Sequence, residues 1–153
     1  MLTTSQRWWP IPLRLSLGFG FLYHGLPKLS AAGHQGFVGA LKGIGVPLPE
    51  VTAWVVGLVE VVGGLAILIG AYLTVAAIPL IIEMLVAAFT VHRPSGFNFI
   101  NITGMGPSGP TFGMPGMEVS LLYASVLLAL AIGGAGALSF DERRRAAKTE
   151  LHP

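Results

Sequence analysis

The sequence has no cysteine and few charged residues, which make up 10% of its 153 positions. The lack of cysteine excludes a thiol nucleophile, a disulfide, a Cys-x-x-Cys redox motif and an iron–sulfur cluster held by this chain's own thiolates. A soluble domain normally carries about 25% charged residues. With 53% hydrophobic residues and a mean hydropathy of +0.73, the composition is typical of a membrane protein, and the length predicts a single domain over residues 1–153.

Several catalytic motifs are also missing. The sequence contains no phosphate-binding loop, nucleophile elbow or dinucleotide fingerprint, and no HExxH or ExxH spacing that would indicate a zinc or di-iron site. Its most concentrated positive charge is the run Arg143–Arg145 in the basic C-terminal tail, 141–153. We interpret this run as a membrane-orientation signal, and we expect no nucleic-acid partner.

Long apolar runs account for most of the chain. A helix that crosses a bilayer needs about 20 mostly apolar residues. Four segments meet this requirement, namely 11–29, 51–69, 73–91 and 117–138. The sequence therefore predicts an all-α membrane protein, a four-transmembrane-helix bundle in which the second and third helices form an antiparallel hairpin around residues 70–72.

Basic residues are unequally divided between the two sides of this bundle. An even number of spans places both termini on one side, and that side holds Arg7, Arg14, Arg143, Arg144, Arg145 and Lys148. The opposite side holds Lys28, Lys42 and Arg93. The positive-inside rule therefore places the N- and C-termini in the cytoplasm.

Two connections face outward in this topology. The first, 31–50, contains the turn-rich stretch Gly-Ile-Gly-Val-Pro-Leu-Pro at 43–49. The long outer loop, 93–116, is rich in proline and glycine, and it carries no charge after Arg93. A loop of this length is either functional or disordered. It either folds back over the bundle mouth or the lipid interface, or it has no fixed structure.

Ionisable side chains interrupt the apolar runs. A charge at the bilayer centre costs roughly 2.5–3.5 kcal/mol on insertion scales, so these residues should face the bundle interior, pair, or stay neutral. They are Arg14, His24 and Lys28 in the first span, Glu60 in the second, Glu83 and His92 in the third, and Glu118 at the start of the fourth.

The periodicity of the first two spans predicts that their polar faces meet. Arg14, His24 and Lys28 fall within an arc of roughly 80° on the first helix. Glu60 shares a face of the second helix with glycines at 57, 63 and 64, and glycines allow a neighbouring backbone to approach closely. We therefore predict a polar seam between these helices, in which Glu60 pairs with Lys28 or His24.

The seam allows more than one interpretation. Its pairs could simply fix which helix faces meet, or Glu60 could be a neutral acid hydrogen-bonded to a carbonyl. Alternatively, the seam binds a membrane-soluble molecule with a polar head, because the ionisable groups exceed what helix register needs. His24 and His92 could also ligate a haem from two spans, but histidines at a membrane boundary are more often interfacial residues. Haem is therefore disfavoured, and we assign no metal.

Several short motifs occur in order along nearly the whole chain. They are HGxxK at 24–28, Gly-Ile-Gly-Val-Pro at 43–47, GxxExxGG at 57–64, Ala-Ala-Phe-Thr-Val-His at 87–92, Gly-Met-Glu at 116–118 and Ser-x-Asp at 139–141. Together they resemble the DoxX family of small bacterial membrane proteins. The resemblance implies a four-helix bundle and a multi-pass protein of the bacterial inner membrane. The positions that match the family pattern are Arg14, His24, Lys28, Glu60 and Glu118; Glu83 has no matched position.

The resemblance also implies a connection to redox chemistry, since the family includes the membrane subunit of a thiosulfate:quinone oxidoreductase. Our first hypothesis is a redox-associated subunit that binds a quinone-like or other amphipathic molecule. His24 and Lys28 would hydrogen-bond a carbonyl oxygen, and Glu60 would orient Lys28 or relay a proton. Electrons would come from a soluble or membrane partner, so any enzymatic activity belongs to the assembly.

Two alternatives stay open. In the first, the chain is a non-catalytic scaffold for a soluble oxidoreductase, and its basic tail docks that partner or anionic lipid. In the second, it is a small transporter, for which four helices would form a path only in a homo-oligomer.

Overall fold

The computed structural model describes residues 7–150. The last three residues of the predicted tail, and the first six of the predicted domain, lie outside the described residues. The described chain contains six α-helices and one β-hairpin. The elements are α1 (Pro10–Lys28), α2 (Ala31–Gly43), α3 (Pro49–Ile69), α4 (Leu73–Val86), β1 (Ile102–Gly106), β2 (Gly109–Phe112), α5 (Glu118–Gly133) and α6 (Phe140–Glu150).

The four apolar helices are α1, α3, α4 and α5. Each runs antiparallel to the one before it, and together they form the body of the molecule. α4 continues without a break into a π-helical turn, Ala87–His92, and a short 3₁₀ turn, Arg93–Ser95. Within residues 7–150, two helices are long and apolar enough to cross a membrane, Pro49–Ile69 and Leu73–Ser95. α5 is apolar but shorter, with 16 residues, and α1 has 19 residues but carries basic groups.

Close packing of α1 on α3 follows from small residues on both helices. A Cβ atom added at Gly18 would lie 2.8 Å from Leu68 Cβ, and one added at Gly64 would lie 2.9 Å from Phe21 Cβ. On the other side of the bundle, Phe21 makes an edge-to-face contact with Tyr123 of α5, at 5.5 Å between ring centroids. The buried core joins side chains of all four helices, among them Leu17, Phe21, Ile67, Leu80, Leu127 and Leu130.

The two ends of the bundle differ in character. We call the end that holds the α3–α4 turn and the start of α6 the tail end. There Gly70 ends α3 in the left-handed conformation, with φ of 65°, and the Asp141 carboxylate accepts hydrogen bonds from the backbone N–H groups of Tyr72 (2.8 Å) and Leu73 (3.0 Å). The opposite end carries α2 and the β-hairpin, and we call it the hairpin end.

The structure corrects the predicted elements in three places and adds secondary structure to the tail. The fold is mostly rather than entirely helical, because residues 102–112 of the outer loop form the β-hairpin. The connection 31–50 contains α2, whose N-cap Ser30 accepts a hydrogen bond from Gly33 N. The fourth helix ends at Gly133 rather than at residue 138, because Gly134 adopts a positive φ of 85°. The described part of the basic tail is helical, as α6.

Candidate functional site

The centre of the site is an ion pair between α1 and α3. The Lys28 ammonium donates a hydrogen bond to Oε2 of Glu60. Glu60 is buried, with 3% of its surface exposed, and the Lys28 side chain is 19% exposed. Gly25 makes the approach possible, since a Cβ at this position would lie 2.7 Å from Glu60 Cβ. The structure thus pairs Glu60 with Lys28, which is one of the two partners that the sequence offered.

A second carboxyl group, from α4, joins this pair. Glu83 lies close enough to interact electrostatically with both Glu60 and Lys28. Its Oε2 atom is buried and has no hydrogen-bond partner among the described residues. Burying a polar atom without a hydrogen bond costs about 1–3 kcal/mol, so a hydrogen bond donated to this oxygen would be stabilising. We define the polar seam as Lys28, Glu60 and Glu83; it holds two acidic groups and one basic group.

α2 covers the hairpin end of the polar seam. The Phe37 ring lies 4.6 Å from the Lys28 ammonium, measured to the ring centroid, which is the geometry of a cation–π contact. α2 itself is held on α3 by a small apolar cluster that contains Val38, Leu41 and Ala53. Lys28 therefore lies between the buried carboxyl groups and an aromatic cover.

His24 lies beside the polar seam rather than in it. It precedes Lys28 by one helical turn on α1, so the two side chains lie on neighbouring parts of the same face. His24 is exposed and contacts the Tyr23 ring edge to face at 5.5 Å. No hydrogen bond or ion pair in residues 7–150 joins it to Glu60. An open groove of about 510 Å³ on the exposed face of α1 is lined by Leu22, Tyr23, His24, Leu26 and Pro27, and no residue from α3 or α4 is among its lining residues.

The structure places His92 and Glu118 in a different cluster, under the β-hairpin. Nδ1 of His92 lies 2.9 Å from the Pro115 carbonyl oxygen. The Glu118 carboxylate accepts a hydrogen bond of 2.9 Å from the backbone N–H of Phe99. Both residues thus fix the base of the hairpin. Among the described residues, no group of three or more His, Asp or Glu side chains is arranged to hold a metal ion.

Arg14 lies near the tail end of α1, about 20 Å along the helix from Lys28 at 1.5 Å per residue. Arg14 is 4% exposed, and within residues 7–150 its guanidinium donates hydrogen bonds to backbone carbonyls. These acceptors, at 2.9–3.3 Å, are Ile67, Leu68, Ala135, Ala137 and Leu138. The last carbonyls of a helix have no hydrogen-bond partner within it, and Arg14 supplies donors to two of these carbonyls in α3. It also binds the carbonyls of the segment after α5 and so holds that segment against α1 and α3. It stabilises the fold at a distance from the polar seam.

One contributor to the site, Phe37, was missed by sequence reasoning. It was assigned to a connecting loop, although the Ser30 cap before it was a usable signal for a helix. Glu83 was among the candidate residues, but its partner was not predicted, because that partner depends on how α4 is rotated against α3. That rotation follows from packing: Leu80 fits over Gly63, where an added Cβ would lie 2.9 Å from the leucine Cδ1.

Comparisons with known proteins place the chain among membrane proteins. A family model described as DoxX matches residues 10–93. The chain is 32% identical over 138 residues to an uncharacterized membrane protein of Mycobacterium tuberculosis, which covers 87% of this chain and 79% of that protein. It is 28% identical over 137 residues to an uncharacterized protein of Haemophilus influenzae, covering 86% of this chain and 87% of that protein. No solved structure matches the chain significantly.

Proposed function

We propose a function for this chain from the premise that it belongs to the DoxX family, and is therefore a membrane protein. We infer a multi-pass protein of the bacterial inner membrane in which four helices cross the bilayer and both termini are cytoplasmic. Large apolar side chains exposed along the helices support this arrangement, since a soluble monomer rarely exposes so much contiguous apolar surface. Examples are Phe19, Val62, Val75, Ile78, Ile82, Leu128 and Ile132.

Within that bundle, we propose that the polar seam, together with the open groove that includes His24 one turn before Lys28, binds an amphipathic, carbonyl-bearing molecule of the quinone class. The observation that carries the proposal is the buried Oε2 atom of Glu83, which has no hydrogen-bond partner among the described residues. Glu83 adjoins the ion pair between Lys28 of α1 and Glu60 of α3. The groove volume, about 510 Å³, falls within the range of small-molecule sites, about 300–1,000 Å³. Leu22, Leu26 and Pro27 would contact the apolar part of the ligand.

The polar residues have separate roles in this proposal. Lys28 and His24, one turn apart, donate hydrogen bonds to a carbonyl oxygen at the mouth of the groove. Glu60 holds the ammonium of Lys28 in position, and Glu83 exchanges protons with Glu60. Reduction of a quinone takes up protons together with electrons, and a chain of carboxyl, ammonium and imidazole groups suits proton delivery.

Electrons would have to come from a partner protein or from a cofactor bound elsewhere, because the chain has no thiolate of its own. We therefore propose a redox-associated subunit rather than a complete enzyme. α6 offers a surface for such a partner, as its exposed basic run Arg143–Arg145 lies at the end that we assign to the cytoplasm.

The experiment that tests the binding site compares two glutamates of the same helix. Wild type, Glu60→Gln and Glu50→Gln are purified in lipid nanodiscs, and small molecules extracted from them are identified by mass spectrometry. Glu50 is the matched control, because its side chain is 75% exposed and lies outside the polar seam. We expect a stoichiometric amphipathic molecule in wild type and Glu50→Gln that is absent from Glu60→Gln. An empty wild-type protein would contradict the proposal.

A second candidate function is a membrane scaffold, and the observation in its favour is that Glu60 already has a partner in Lys28. Breaking one side of a buried ion pair costs about 3–5 kcal/mol, whereas replacing both members by apolar residues is often neutral. The double variant Lys28→Met with Glu60→Met separates the two functions. A scaffold would keep its stability and its partner, while a binding site would lose its ligand although the protein still folds. A small transporter would require a homo-oligomer, which cross-linking in nanodiscs would detect.

A further inference from the structure

The segment 97–116, which includes the β-hairpin, is apolar, uncharged and exposed. The sequence has no charged residue from Pro94 to Met117. Seven large apolar side chains of the segment are more than half exposed, and they are Phe97, Phe99, Ile100, Ile102, Met105, Phe112 and Met114. A two-stranded hairpin alone is marginally stable in water. We call residues 97–116 the hairpin segment. Its exposed apolar surface is typical of an element that packs against another surface.

The position of the hairpin segment is fixed by its base. Backbone hydrogen bonds join its two arms below the strands, from Gly116 N to Asn98 O and from Glu118 N to Phe97 O, at 3.0 and 2.9 Å. The Glu118 carboxylate binds Phe99 N, and His92 contacts the Pro115 carbonyl. These contacts hold the segment directly above the ends of α4 and α5.

Its apolar surface continues onto α5. Phe99 and Ile100 line a groove of about 480 Å³ together with Val119 and Leu122 of α5, and Asn98 and Glu118 are its polar lining residues. Leu122 is 58% exposed and belongs to the helix surface that we assign to lipid. The outer edges of the two strands leave backbone groups unpaired, and such groups are not tolerated in the hydrocarbon core. The segment therefore suits the interfacial layer of the bilayer, where backbone groups still reach water.

We propose that the hairpin segment lies in the lipid interface of the leaflet at the hairpin end, with its phenylalanine side chains among the acyl chains and lipid filling the groove against α5. The attraction is hydrophobic, because no Lys or Arg of the segment can attract anionic headgroups. It should be equally strong in zwitterionic and anionic membranes. The inference rests on the proposed membrane-spanning arrangement, but not on the proposed ligand.

The absence of cysteine makes a clean test available. Single-cysteine variants Phe112→Cys and Met105→Cys are labelled with a polarity-sensitive fluorophore, and the full chain is reconstituted as one copy per phosphatidylcholine nanodisc. Emission is quenched either by nitroxide-labelled lipid or by aqueous iodide. Ile78→Cys on α4 serves as the membrane control, and Arg145→Cys on α6 serves as the aqueous control. All four side chains are exposed, so the substitutions leave the core unchanged.

We expect the lipid nitroxide to quench the fluorophores at positions 105 and 112 as strongly as the one at position 78. Iodide should quench mainly the fluorophore at position 145. The same result is expected when phosphatidylglycerol is added. Iodide quenching at Met105 and Phe112 equal to that at Arg145 would overturn the proposal. Protection from iodide that appears only in discs holding two copies would overturn it in favour of a dimer contact. Iodide quenching at Ile78 would instead indicate that the spanning arrangement itself is wrong.

Discussion

Arg14 gives the sharpest prediction about stability. Arg14→Met keeps an unbranched apolar stem, is shorter than arginine, and removes all five hydrogen bonds to carbonyls. Three of these bonds, to Ile67, Ala135 and Ala137, are buried. A hydrogen bond to a charged group contributes about 1.5–3 kcal/mol, but the five do not add, since the substitution also removes a buried charge whose desolvation opposes folding. We expect the free energy of unfolding to fall by about 3–5 kcal/mol.

Reversible unfolding in mixed micelles measures this loss, with circular dichroism as the readout of helix content. Arg145→Met is the matched control, because Arg145 is exposed on α6 and surface substitutions usually change stability by no more than about 0.5 kcal/mol. Arg14→Lys should lie between the two, because an ammonium has three donors and no planar fork. If Arg14→Met is as stable as Arg145→Met, the reasoning about carbonyl satisfaction is refuted.

Four further substitutions test the packing of α1 on α3, the helix α2, the tail end and the cover of the polar seam. Gly18→Ala should destabilise the protein by about 1–3 kcal/mol through overpacking. At Gly36 an added Cβ meets no described atom within 4 Å, so Gly36→Ala should stabilise α2 by up to about 1 kcal/mol. Thermal unfolding measures both variants, and equal effects would argue against close packing at Gly18. Asp141→Ala removes the cap of α4 and should cost about 0.5–2 kcal/mol, which chemical unfolding will measure; an unchanged midpoint would contradict the capping role. Phe37→Leu removes the cation–π contact and should speed acylation of the Lys28 amine by a water-soluble reagent, while an unchanged rate would mean that Phe37 does not cover the seam.

The apolar helices could be predicted from sequence because their signal is long and local. A run such as 51–69 needs no tertiary information to be recognised as a helix of membrane-spanning length. The contact between α1 and α3 could also be predicted from the sequence, since glycine at 57, 63 and 64 marks the face on which Glu60 lies. The structure places Gly57, Gly64 and Glu60 against α1, where Lys28 reaches the carboxyl group, whereas Gly63 contacts Leu80 of α4.

The remaining features depend on contacts between segments that are distant in sequence. α2 contains glycine at 33, 36, 39 and 43 and precedes prolines, so its propensity for helix is low and its stability comes from packing on α3. The partner of Glu83 depends on the rotation of α4, which its uniformly apolar surface does not reveal. The β-hairpin has turn residues throughout and no alternation of apolar and polar side chains that would predict its strands. Its strand pairing is set by the hydrogen bonds at its base.

The carbonyl contacts of Arg14 also set an order of assembly during synthesis. Arg14 and the carbonyl of Leu138 are 124 residues apart, and at about 5–20 residues per second a ribosome needs on the order of ten seconds to make that stretch. Until then the guanidinium in the first helix lacks three of its five acceptors. The hydrogen bonds of the Arg14 guanidinium can therefore be completed only after the segment that follows α5 has been synthesised.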